Sequence, residues 1–276
     1  MLLQLGGRHI CFDLLGDEGA PVVCLAHSLS ADMGIWAEQV SPLLARGWRV
    51  LRIDMRGHGG SSPGCEEAYT MPGLAQDVVA VLNLLGLDKV HFAGVSIGGM
   101  IGQQLGIDHP HRLISLMLCD TAATNIPGGE TVWIDRFAAM HNAGSLEPLA
   151  DATMDRWVTE EFKTANPERW NVIRATVAAT TLAGYFGGGM AILTFDSRSQ
   201  LASIKVPTMI VWGSNDTGTP PAGNALIADA IPGSKRSVFE GARHIPMVEQ
   251  AVAFTRVMAN WLADQRGAPV SEPIIY

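Results

Sequence analysis

The chain has 276 residues, 47% of them apolar and 17% charged, with a formal net charge of −8. That composition is too apolar and too weakly charged for a disordered polypeptide, and a chain of this length buries a sizeable core without metal or disulfide support. An acidic chain with no basic run lacks the clustered Lys and Arg of a nucleic-acid binder, and no stretch reaches the roughly 20 apolar residues of a membrane span.

In chain order, His9–Leu14 reads as a short strand ended by the turn cluster Gly16-Asp17-Glu18-Gly19. Pro21–Ala26 is a continuous apolar run, the pattern of a strand buried on both faces. Trp48–Ile53 and Lys89–Ala93 are further strands. Between them Leu74, Val78, Val81, Leu82 and Leu85 fall on one helix face, with Thr70 as its cap and Gly86 as its stop. Met100–Ile107 reads as a helix closed by His109-Pro110, and Leu113–Cys119 as another strand. This alternation predicts parallel βαβ units and an α/β fold.

The rhythm changes after Asp120. Residues 122–196 carry helical patterns and loops without apolar strand runs. Alternation then resumes with strand Val206–Trp212, helix Ala222–Ala230, strand Lys235–Phe239 and helix Ala251–Leu262. The expected organisation is an α/β core (1–121 and 197–266), a helical cap (122–196) inserted after the sixth core strand, and a C-terminal tail (267–276). Cys11, Cys24, Cys65 and Cys119 form no C-x-x-C pair and no zinc spacing, so free thiols and no metal are expected. The first residues lack the basic and apolar regions of a signal peptide, which points to a cytoplasmic protein.

Gly94-Val95-Ser96-Ile97-Gly98 is a G-x-S-x-G that follows an apolar strand and opens a helix. A serine there sits on a turn so tight that flanking side chains would collide, and its hydroxyl projects from the sheet. The helix N-terminus behind it aims N–H groups at a developing anion. A serine hydroxyl needs a base, and His244 lies in a loop after the last core strand. The carboxylate that orients the base is expected at Asp216, after the preceding strand; Asp120 is the rival position. The backbone N–H of Ile97 and that of Leu29, in the loop Ala26-His27-Ser28-Leu29-Ser30, are the expected oxyanion donors. His27 and His58 read as structural.

These residues, in this order, resemble the α/β-hydrolase family over nearly the whole chain, and Asp54-Met55-Arg56-Gly57-His58-Gly59-Gly60-Ser61 resembles a further loop of that family. Ala26–Leu29, Gly94–Gln103, Leu105–Ile107 and Leu118–Ala123 are similar to the 3-oxoadipate enol-lactonases and their esterase relatives. The resemblance implies hydrolysis of a small activated cyclic ester, with no cofactor. The chain departs from the family's commoner residues at Ser28, Val95, Ile97 and Arg243. A pocket between core and cap is expected to be lined by Trp36, Trp133, Phe137, Met154 and Trp157, with Arg136 as candidate partner for a substrate carboxylate. The partner is then a small ester or lactone, with neither nucleic acid nor membrane, and a monomer and a homodimer fit equally. Cleavage of a C–C bond, perhydrolysis and slow-turnover small-molecule reception are the alternatives on the same residues, because the fold alone does not choose among them.

Overall fold

The computed structural model describes residues 1–64, 69–125 and 129–266. Its frame is an eight-stranded sheet in the order β1-β2-β4-β3-β5-β6-β7-β8. The strands are β1 (Leu2–Leu5), β2 (Arg8–Leu15), β3 (Val22–Ala26), β4 (Arg49–Ile53), β5 (Val90–Val95), β6 (Leu113–Cys119), β7 (Thr208–Gly213) and β8 (Lys235–Phe239). β1 pairs antiparallel with β2 and β2 with β4; the other five pairings are parallel. The α/β expectation holds. Every residue of β3 and β5 is buried, as a central parallel strand covered on both faces requires.

Helices cover both faces. Helices α1 (Ala37–Leu44), α2 (Met71–Leu84) and α3 (Ile97–Asp108) follow β3, β4 and β5. Thr70 accepts a hydrogen bond from Gly73 N–H at 3.2 Å, and Leu74, Val78, Val81 and Leu82 turn inward, so α2 has the cap and face read from its sequence. Between β6 and β7 the described residues form α4 (Gly129–Ala143), α5 (Glu147–Trp157), α6 (Glu160–Ala165), α7 (Pro167–Ala179) and α8 (Leu182–Leu193). Helices α9 (Pro221–Ala230), α10 (Pro246–Glu249) and α11 (Ala251–Arg266) follow among the described residues. The sequence reading missed β1, α1 and α10, and it began α3 three residues late. Cys11, Cys24 and Cys119 are free thiols; Cys65 and the expected tail lie outside the described residues. No single helix among the described residues is long and apolar enough to cross a membrane.

Two hydrophobic clusters lie on the two sides of the sheet. One joins α2 and α3 through Leu74, Val78, Leu82, Ile101 and Leu105; the other joins α1 and α11 through Leu43, Phe254, Met258 and Trp261. Beside the second cluster, His91 of β5 meets Trp48 at 5.0 Å between ring centroids and its Nδ1 lies 2.8 Å from Ser115 Oγ. Burial, with Arg266 adding, lowers the His91 pKa to about 4. The unfolded chain therefore takes this proton first as pH falls. Stability is present above the unfolded value and lost as pH drops towards the folded one. Between pH 8 and pH 5 this one residue is expected to cost about 2 kcal/mol. Urea unfolding at the two pH values checks this: His91→Asn should lose clearly less stability than wild type over that interval, and equal losses contradict it.

Candidate active site

The site begins with a steric constraint at the β5–α3 junction. Ser96 has φ 58° and ψ −118°, a conformation rare for a side-chain-bearing residue. The turn holds this strain because its neighbours nearly touch. A Cβ on Gly94 would lie 2.2 Å from the Gly98 carbonyl oxygen, and one on Gly98 would lie 2.5 Å from the Ala26 carbonyl oxygen. The chain is pinned further by Ser96 N–H donating to Cys119 O at 2.9 Å and by Thr121 Oγ1 donating to Ser96 O at 2.7 Å. Ser96 thus stands at the C-terminal edge of the sheet with α3 starting immediately behind it. The first N–H groups of α3, beginning with Ile97, have no intrahelical acceptor.

His244 follows β8 and lies in the same pocket as Ser96. Its Nδ1 lies 2.8 Å from Asp216 Oδ2. The Asp216 carboxylate is enclosed: Oδ1 accepts from Gly218 N–H at 2.7 Å and Thr219 N–H at 3.2 Å, while Oδ2 also accepts from Thr219 Oγ1 at 2.6 Å. Burial by itself would raise this carboxyl. The facing His244, the Thr219 hydroxyl and the Gly218 N–H outweigh it, and the Asp216 pKa falls below the ordinary carboxylate value. An ionised Asp216 accepts from Nδ1–H, which leaves Nε2 as the basic nitrogen.

Asp120, the rival acid, is held elsewhere. It is fully buried at the end of β6 with φ 40°, and its Oδ1 accepts from Gly213 N–H at 2.8 Å. Burial and the Asp216 charge push its carboxyl well above the ordinary value. Asp120 therefore ties β6 to β7, and Asp216 is the carboxylate on His244.

The loop after β3 is shaped by His27. Its Nε2 accepts from Met55 N–H at 2.9 Å, so the ring proton sits on Nδ1, which donates to Ser28 O at 2.7 Å. Ala31 N–H also donates to Ser28 O, at 3.0 Å. A trans peptide directs its N–H opposite to its C=O. Pinning the Ser28 carbonyl from two sides therefore turns the Leu29 N–H the other way. Burial lowers the pKa of His27 and, with His27 adding, that of His58 to about 3, and neither ring lines the pocket that holds Ser96.

The pocket has a volume of about 360 Å3. Ser96, His244, Leu29 and Gly218 line it from the core, and Trp133, Arg136, Arg156, Trp157 and Tyr185 line it from the inserted helices. Of the expected lining, Trp133, Arg136 and Trp157 are in place. Three expectations are corrected. Trp36 is fully buried beside Phe254, with its indole N–H on Ala26 O at 3.2 Å. Met154 is fully buried, about 100° round α5 from Thr153 and off the pocket face. Phe137 stacks behind Trp133 against Tyr185 and Phe186.

Arg156, Tyr185 and Thr219 were missed. Thr153, Arg156 and Trp157 share the i, i+3, i+4 spacing of one helix face, a signal that the aromatic residues alone obscured. Arg136 lies 5.3 Å over the Trp133 ring and Arg156 donates to Thr153 Oγ1 at 3.1 Å. Neither guanidinium has a carboxylate partner among the described residues. Burial, together with Arg136 nearby, lowers the Arg156 pKa.

Comparison with known proteins gives the lineage. Residues 21–251 match the model of the alpha/beta hydrolase fold. The chain belongs to this family. It is 30% identical to 3-oxoadipate enol-lactonase 1 of Acinetobacter baylyi, over 95% of this chain and 96% of that one. The crystal structure of the enol-lactonase from Burkholderia xenovorans superposes with a TM-score of 0.89 at 32% identity, over 95% of this hydrolase and all of that chain. Est816, described as an N-acyl homoserine lactone degrading enzyme, superposes with a TM-score of 0.79 at 30% identity, over 94% and 99% of the two chains. The resemblance read from the motifs thus extends over 94–95% of the chain.

Proposed function

We propose that this protein hydrolyses a small ester or lactone bearing a carboxylate, through an acyl-enzyme on Ser96, with residues 122–196 acting as a cap. The observation that carries this reading is one pocket holding three things together. It contains a serine on a strained strand-to-helix turn, a histidine paired with an ionised carboxylate, and two arginines without acidic partners. The enol-lactonase relatives support the same substrate class.

In this mechanism His244 Nε2 takes the Ser96 proton as Oγ attacks the carbonyl carbon. The oxyanion is stabilised by the Leu29 and Ile97 N–H groups, both part of the rigid backbone described above. His244 then protonates the leaving oxygen. In an enol lactone that oxygen becomes an enol, which rearranges to the ketone and makes acylation effectively irreversible. Water deprotonated by His244 attacks the acyl-enzyme and restores Ser96. Asp216 keeps the imidazole in the correct tautomer and stabilises the imidazolium. Arg136 and Arg156 bring positive charge to an apolar chamber, where a bound carboxylate would neutralise it with charge-assisted hydrogen bonds.

The test compares kcat/KM for the 3-oxoadipate enol lactone with that for its methyl ester. The free acid is expected to be preferred by about tenfold or more, the value of one charge-assisted hydrogen bond, and Arg136→Ala should remove most of that preference. Equal kcat/KM for acid and methyl ester in wild type would exclude the carboxylate-bearing substrate and leave a neutral ester or lactone.

A further inference from the structure

Arg243 departs from the family's common residue directly before the histidine, and the mechanism above leaves it unused. Its surroundings give it a task. The α5 helix ends at Trp157, and its last carbonyls have no partners within the helix. The Arg243 guanidinium donates to two carbonyls of this end, Asp155 O and, at 2.9 Å, Val158 O. A cation on a helix C-terminus also lies at the negative end of the helix dipole. On the other flank of His244, Ile245 N–H donates to Trp157 O at 3.3 Å. Glu249 closes the arrangement: Oε1 accepts from Thr159 N–H and Oε2 from Arg243 N–H, both at 2.7 Å. Trp157 itself lies 6.1 Å from His244 between ring centroids. Residues before and after the base are therefore bonded to one helix end. That same helix presents Thr153, Arg156 and Trp157 to the pocket.

We infer that Arg243 is a specificity-determining positioning residue that locks α5 to the His244 loop and so sets the distance from the Arg156 guanidinium to the reacting serine. Arg243 does not line the pocket. It acts through Arg156, so the inference rests on the proposed carboxylate recognition. The base has its own support in Asp216 and Thr219. Loosening α5 should therefore cost discrimination between anionic and neutral esters more than it costs the hydrolytic step.

The experiment measures kcat/KM for a carboxylate-bearing aryl ester, p-nitrophenyl hemisuccinate, and for neutral p-nitrophenyl butyrate. It uses wild type, R136A, R156A, R243G, R243K and the double variant R156A/R243G, each checked by circular dichroism and thermal melting. R156A is expected to lower the anionic-to-neutral ratio by about tenfold, the scale of one charge-assisted hydrogen bond. R243G should lower the ratio by about three- to tenfold, R243K should restore part of it, and R243G added to R156A should lower it no further, the non-additivity of two residues acting through one contact. E249Q, which leaves the Arg243 side chain in place but disturbs the same junction, should shift the ratio in the same direction, and it carries the test if R243G does not fold. If R156A leaves the ratio unchanged while Arg136→Ala lowers it, the positioning role is overturned and the substrate reading stands; if both leave it unchanged, the carboxylate reading fails. If R156A lowers it but R243G and E249Q lower both esters equally, or neither, or if R243G and R156A add, the positioning role is overturned while the substrate reading stands.

Discussion

Replacing Ser96 by alanine is expected to lower kcat by on the order of 10^4-fold or more, with KM and the melting temperature nearly unchanged. The size follows from the covalent step. On the proposed mechanism no acyl-enzyme forms without Oγ, and the remaining rate would come from water acting beside the two proposed backbone oxyanion donors. The fold should tolerate the change because the Ser96 side chain makes no capping hydrogen bond to α3, and the strain at φ 58° is carried by the Gly94 and Gly98 contacts. Steady-state kinetics with an aryl ester, beside a thermal melt, checks both halves. A variant that melts normally and still turns over within tenfold of wild type contradicts the nucleophile assignment.

Asp216→Asn is expected to lower kcat by about 10^4-fold, the cost seen when an asparagine replaces the aspartate of a comparable serine site. The local hydrogen bonds explain why an isosteric change does so much. The carboxylate accepts from four donors, Gly218 N–H and Thr219 N–H on one oxygen, Thr219 Oγ1 and the imidazole on the other. An amide has one acceptor oxygen. If its oxygen faces the two backbone donors, its NH2 faces His244 Nδ1, which must then give up its proton and place it on Nε2. The base is then protonated on the atom that should take the serine proton. If the amide flips, NH2 meets two N–H groups and the loop is forced apart. Kinetics together with the imidazole proton resonances distinguishes these cases, and a variant with kcat within tenfold of wild type contradicts the role given to Asp216.

The elements and residues that sequence pattern exposed are those under a hard physical constraint. β3 and β5 are continuous apolar runs because both faces are covered. The Ser96 turn was legible because Gly94 and Gly98 have no room for a Cβ, so the spacing of glycines records the geometry. Asp216 and His244 were legible from their order after successive strands. Where constraint weakens, so did the reading. β1 is four residues long at the sheet edge and half exposed, which leaves little pattern to find. α1 contains Pro42, a residue that argues against a helix unless it sits where its missing N–H is harmless.

The pocket wall shows the other limit. Aromatic identity marks a buried side chain but not the surface it faces. Trp36 and Phe137 went into packing layers, and Met154 lies round α5 from the residues that face the serine. Spacing was the better guide. Gly129, Val132, Trp133 and Arg136 line the pocket at the i, i+3, i+4, i+7 positions of α4, and Thr153, Arg156 and Trp157 repeat the pattern on α5. Sequence order favours Asp216 over Asp120 without excluding Asp120, since both follow strands at the same sheet edge. The Gly213 N–H on Asp120 and the imidazole on Asp216 separate them in space.

The most direct test of the account is to catch the covalent intermediate. Wild type mixed with excess p-nitrophenyl butyrate, quenched in acid within milliseconds and analysed by intact-protein and peptide mass spectrometry, should carry one butyryl group. It should sit on the peptide containing Ser96, match the stoichiometric burst of p-nitrophenol, and be absent from Ser96→Ala. Catalytic turnover of the ester with no adduct and no burst, or an adduct on another residue that survives in Ser96→Ala, would contradict the proposed mechanism.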